Sequence, residues 1–141
     1  MLKTIKKLLT DNAILIAVPI TVSIAVGSLV RSGTQLSKSL QISDKTIHLV
    51  AYFSLMLSWL YVFFKKRAFQ ENVKYLVLGC IFFGIIIEIL QPIVTSDRTA
   101  SFLDVVANAT GILFAVIIFH FFEKKVSFLG ILSNEPHKDI S

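Results

Sequence analysis

Three titratable side chains, His48, Glu88 and Asp104, stand inside runs of sequence that are otherwise almost wholly apolar. An imidazole beside carboxylates can take up and return a proton near neutral pH, so these three are the candidate catalytic residues. Each has polar company at helical spacing. Asp44, His48 and Tyr52 fall at i, i+4 and i+8, with Lys45 alongside. Gly84, Glu88 and Gln91 fall at i, i+4 and i+7, and so do Asp104, Asn108 and Gly111. Such spacings put each trio on one helix face. Arg98, between the second and third trios, carries a guanidinium whose paired donors suit a phosphate or carboxylate. Asp44, Lys45, His48, Tyr52, Glu88, Gln91, Arg98, Asp104 and Asn108 form the candidate ligand-binding set.

The elements that carry these residues are set by composition. The chain has 141 residues, 55% hydrophobic and only 16% charged, with a mean hydropathy of +0.76. A soluble domain of this size cannot hide so much apolar area, because a small globule keeps too large a share of its atoms at the surface. Lipid is the solvent that fits. Four apolar stretches, 13–30, 46–64, 75–94 and 102–122, approach the roughly 20 residues that cross a hydrocarbon core of about 30 Å. The expected fold is all-α, an integral membrane bundle of four transmembrane helices. It divides into a cytoplasmic N-terminal segment 1–12, a membrane domain 13–122 and a cytoplasmic tail 123–141. Neither repeats nor low-complexity segments interrupt it, and no room is left for a soluble domain.

The first stretch also has features of a signal peptide, with Lys3, Lys6 and Lys7 before it and Ala25-Val26-Gly27 near its end. Its apolar run of 18 residues exceeds the usual signal core, which favours a retained helix. Pro19 inside it is tolerable in lipid.

Orientation follows from Lys and Arg. With the N-terminus inside, the inner side carries ten of them and the outer side four, namely Arg31, Lys38, Lys45 and Arg98. The excess places both termini in the cytoplasm. The polar trios then gather in the outer leaflet, contributed by three different helices. The connections are 31–45, 65–74 and 95–101.

Plainer readings exist for most of these residues. Asp44 serves as a helix N-cap and Lys45 snorkels to the interface. Tyr52 packs between helices, and Gln91 before Pro92 closes a helix end. Asp104 complements a helix dipole, and Ser101 with Asp104 resembles a capping box. Glu88 resists this treatment. It lies six residues inside Val94, about 9 Å of helix rise, where an ionised carboxylate facing lipid costs several kcal/mol. It needs a cation, a proton or water. A structural ion-pair network that staples three helices is the alternative to a site.

No metal or cofactor is expected. His48, Glu88 and Asp104 are metal-capable types, but no H-x-x-x-H or E-x-x-H pair falls on one helix. No Ser–His–Asp order, phosphate loop or cofactor fingerprint is present. Nucleic acid is discounted despite a net charge of +5, because the basic clusters punctuate apolar runs and lack interleaved aromatics. The single cysteine, Cys80, reads as a small buried hydrophobe.

The joint pattern Asp44-Lys45-x-x-His48-x-x-x-Tyr52, Glu88-x-x-Gln91 and Arg98-x-x-Ser101-x-x-Asp104-x-x-x-Asn108-x-x-Gly111 resembles the VanZ-like family of small bacterial membrane proteins. The resemblance covers about residues 44–119. It departs at Ser96-Asp97, where many members carry a proline or glycine turn, and no family signal is evident in the first helix or the tail. The founding member accompanies glycopeptide-resistance genes and lowers sensitivity to teicoplanin, a glycopeptide bearing a fatty chain. The resemblance therefore implies a partner in a membrane lipid or lipid-linked cell-envelope molecule, and an antibiotic-resistance role to be tested. It carries over no catalytic residues, and enzyme and binder both stay open.

Overall fold

The computed structural model describes residues 12–30, 43–65, 69–95 and 99–128. These form four helices: α1 (Ile14–Leu29), α2 (Asp44–Lys65), α3 (Phe69–Val94) and α4 (Phe102–Phe128). No strand occurs among the described residues. Three of the helices, α2, α3 and α4, are long and apolar enough to cross a membrane. The fourth is different. Helix α1 has 16 residues, about 24 Å at 1.5 Å per residue, and falls short of the span expected from the apolar run 13–30.

The long helices overrun their apolar stretches because the flanking residues are good helix formers that need not be buried. Helix α3 starts at Phe69, six residues before the apolar run, and carries Glu71 in its first turn, where the helix dipole favours it. Helix α4 continues to Phe128 with Lys125 in its last turn, so the segment assigned to the tail begins as helix. Helix α2 starts at Asp44, which puts Asp44 and Lys45 in its first turn rather than in the preceding connection.

Packing is most extensive between α2 and α4, while α1 leans on α2 and α3. Gly111 explains the closeness of the first pair. A β-carbon there would overlap the Leu49 carbonyl oxygen, so only a glycine lets α4 approach the α2 backbone. Below this crossing the core is apolar, built from Tyr52, Leu55, Met56, Leu60, Cys80, Ile112, Ala115 and Phe119. Phe64 packs edge-on against Phe119 with ring centroids 5.5 Å apart.

The outward faces are equally apolar. Tyr75, Phe82, Ile93, Phe102, Leu113, Phe114 and Phe121 are all more than half exposed, Phe102 reaching 79%. A water-soluble monomer does not present such a surface. A membrane protein does.

Candidate functional site

Helices α2 and α4 begin, and α1 and α3 end, at the same end of the bundle, as the contacts between their terminal residues show. Here the buried polar residues collect: His48, Glu88, Gln91, Asp104 and Asn108 are each less than 9% exposed. His48 occupies the second turn of α2, Glu88 the last part of α3, and Asp104 and Asn108 the first two turns of α4.

His48 is the hub. Its Nδ1 lies 3.0 Å from Asn108 Oδ1 and 3.5 Å from Glu88 Oε1. Both facing atoms are acceptors, so Nδ1 is assigned the ring proton and the lone pair falls to Nε2. Glu88 reaches on to α4 through its other oxygen, Oε2, which is 3.4 Å from the Ser101 N–H. In the capping box read from the sequence, that N–H would be given to the Asp104 carboxylate. The bond to Glu88 takes its place, and Asp104 turns to α2. One ligand-type atom from each of Asp44, His48 and Asp104 lies within 4.8 Å of the other two.

The amides divide. Asn108 sits at the centre, with its Nδ2 buried and without a hydrogen-bond partner. Gly84 makes space for that amide, since a β-carbon at 84 would stand 3.2 Å from Nδ2 and 3.1 Å from Tyr52 Cε1. Gln91 points instead to α1, donating its Nε2 to the Ser28 carbonyl at 3.3 Å. Tyr52, one turn below His48, is fully buried, and its hydroxyl has no hydrogen-bond partner. Lys45 is exposed. Arg98, expected to fold back towards Glu88, lies outside the described residues.

Beside this cluster a cavity of about 450 Å³ opens between α1 and α2. Asp44, His48 and Tyr52 lie on its wall, together with Pro19, Ile20, Ile24, Gly27, Ser28 and Ala51. The contribution of α1 was not legible from sequence, since an apolar helix without charged residues gives no sign of what it covers. Its weak signals are Ser23 and Ser28, polar residues of a largely apolar helix that both lie on the cavity wall.

The sequence model of the VanZ/LLP1 family matches residues 3–123. The chain belongs to the VanZ/LLP1 family. The match extends past the 44–119 stretch whose residues carry the resemblance and takes in α1, so the helix that closes the cavity is part of the VanZ/LLP1 unit. Neither a curated protein nor a solved structure matches the chain.

Proposed function

We propose that this VanZ/LLP1 protein spans a bacterial cell membrane four times, with both termini in the cytoplasm, and binds the headgroup of a cell-envelope amphiphile at its outer-leaflet polar cluster. The observation that carries this reading is the cavity between α1 and α2. Its wall joins the polar side chains Asp44, His48 and Tyr52 to the apolar Pro19, Ile20 and Ile24. A headgroup beside a hydrocarbon chain has the same division, and the volume is in the range of small-molecule sites. Lys45 at the start of α2, and Arg98 in the connection to α4, are the cations for an anionic group such as phosphate. If the bound amphiphile is modified, His48 with Glu88 or Asp104 is the pair suited to move the proton.

Family membership adds the physiological side. Binding an envelope amphiphile would lower susceptibility to teicoplanin-type glycopeptides, which themselves carry a fatty chain. The test has two parts. Lipid co-purifying with the wild type, identified by mass spectrometry, should be depleted in Arg98→Ala. Expression in a sensitive Gram-positive host should raise the inhibitory concentration of teicoplanin. An unchanged value with verified membrane expression removes the resistance role.

A second reading is favoured by the direct contact between His48 and Asn108 across the α2–α4 interface. Here the polar network only fixes helix register, as buried polar groups do in some bundles. Conservative changes separate the two. A binding site loses ligand with the fold intact, whereas a staple loses the fold.

A further inference from the structure

We propose that Asp44, His48 and Asp104 form a divalent-cation site of the zinc or manganese type. The sequence spoke against a metal because no H-x-x-x-H or E-x-x-H pair falls on one helix. The fold supplies the ligands differently. Asp44 and His48 are one turn apart on α2, and Asp104 comes from the first turn of α4. One donor atom from each lies within 4.8 Å of the others. Donors about 2.1 Å from a shared tetrahedral ion stand about 3.4 Å apart, so atoms at the 4.8 Å limit close on a cation by approaching one another by about 1.4 Å.

Two independent features point to a cation here. Asp104 is 8% exposed, and no Lys or Arg among the described residues pairs with it. Two carboxylates gathered this closely repel one another, and a divalent cation between them reverses the sign of that interaction. The imidazole is oriented for the task. Asn108 Oδ1 and Glu88 Oε1 both face Nδ1, leaving Nε2 as the nitrogen for a metal, with a carboxylate and an amide behind it as metal-bound histidines characteristically have. On the other side of the ring, towards Gly84 of α3, the Tyr52 hydroxyl and Asn108 Nδ2 are buried without hydrogen-bond partners. Both can donate. They suit an acceptor such as water held on that side and take no part in the cation site.

Two carboxylates and one imidazole are a mixed donor set, which favours zinc or manganese over calcium or magnesium. Three protein ligands leave coordination positions open. That an anionic headgroup fills one of them rests on the amphiphile-binding reading above; the cation site itself does not.

The test uses full-length protein in detergent, without a histidine tag, stripped by chelator and free of added lipid. Zinc alone is the probe. Calorimetric titration and elemental analysis after desalting should give one zinc per chain. The double variant Asp44→Asn/Asp104→Asn preserves side-chain size and should weaken binding at least tenfold, with helicity by circular dichroism unchanged. X-ray absorption on the zinc-loaded wild type should show one imidazole among oxygen donors. If the double variant fails to fold, this spectrum decides alone. Absence of saturable zinc binding overturns the proposal. So does equal binding by the folded double variant, or a zinc shell containing sulfur or two imidazoles. Any of these results leaves lipid co-purification free to succeed or fail separately.

Discussion

Gly111 of α4 lies directly against the backbone of Leu49 in α2, with no space for a side chain between them. A β-carbon at 111 would overlap the Leu49 carbonyl oxygen and stand 3.0 Å from the Phe53 nitrogen. Backbone cannot swing aside as a side chain does, so the helices must part, and with them His48 and Asn108. Gly111→Ala should therefore destabilise the bundle by about 1–3 kcal/mol. Gly84→Ala should cost less, because the atoms it meets belong to the Tyr52 and Asn108 side chains. At Gly27 and Gly79 an added methyl meets nothing within 4 Å, and alanine there should be neutral or slightly stabilising. Denaturation in mixed micelles ranks the four. Equal melting of Gly111→Ala and Gly27→Ala would refute the close crossing.

The contact between His48 and Asn108 should show energetic coupling. Asn108→Leu removes the acceptor 3.0 Å from His48 Nδ1 and should cost about 1–3 kcal/mol, the usual penalty for stranding a buried polar group. Asn108→Asp keeps an acceptor and should cost less. A double-mutant cycle with His48→Leu should return a coupling of at least about 0.5 kcal/mol. Additivity within error would mean that the two side chains do not interact. Ligand binding measured on the same variants separates a site from a staple.

The cluster was legible in outline from sequence because helical spacing alone aligns Asp44 with His48 and Asp104 with Asn108. The direction in which each stripe faces is a different matter. Spacing assigned the Ser101 N–H to Asp104 through a capping box, yet Glu88, 13 residues earlier, accepts it at 3.4 Å. Local pattern cannot register a competitor from another helix. The same limit hid the role of α1. Its residues Pro19, Ile20 and Ile24 form a cavity wall by virtue of where α1 leans, which no periodicity within α1 encodes. Helix ends were displaced for a simpler reason. Polar residues such as Gln70, Glu71, Asn72 and Lys74 continue a helix beyond its apolar run, where hydropathy no longer reports it.

Helix α1 is tied to α2 by Trp59, whose Nε1 donates to Thr21 Oγ1 at 3.1 Å. Thr21 in turn donates to the Ala17 carbonyl at 2.8 Å. Thr21→Val keeps the shape and deletes both bonds. In a membrane such an interhelical bond is worth about 0.6 kcal/mol on average, so the variant should stay folded with a small loss of stability. Trp59 is the sole tryptophan, which makes its fluorescence a specific reporter of this contact. The emission maximum should shift in Thr21→Val and return towards the wild-type value in Thr21→Ser. An unchanged spectrum in Thr21→Val would mean that α1 is not anchored through Trp59.

Topology is the prediction on which the outer-leaflet placement of the cluster depends. Ten of the fourteen Lys and Arg residues fall on the side that holds both termini when the helices alternate in direction. Positive residues near membrane ends are retained in the cytoplasm. The end of the bundle bearing His48, Glu88 and Asp104 then faces outward, together with the connection 95–101. Helix α1 is the critical element, because its 16 residues cover only about 24 Å. If it does not cross, the N-terminus changes side relative to the rest. A reporter fused after Ser141 should be active only in its cytoplasmic form. A cysteine at Ser96, in a background with Cys80→Ala, should react with an impermeant maleimide in intact cells. A cysteine at Thr4 should stay protected until the cells are lysed. Labelling of Thr4→Cys in intact cells with Ser96→Cys also labelled would reduce the protein to three spans. Protection of Ser96→Cys with an external C-terminus would invert the bundle and put the polar cluster on the cytoplasmic side.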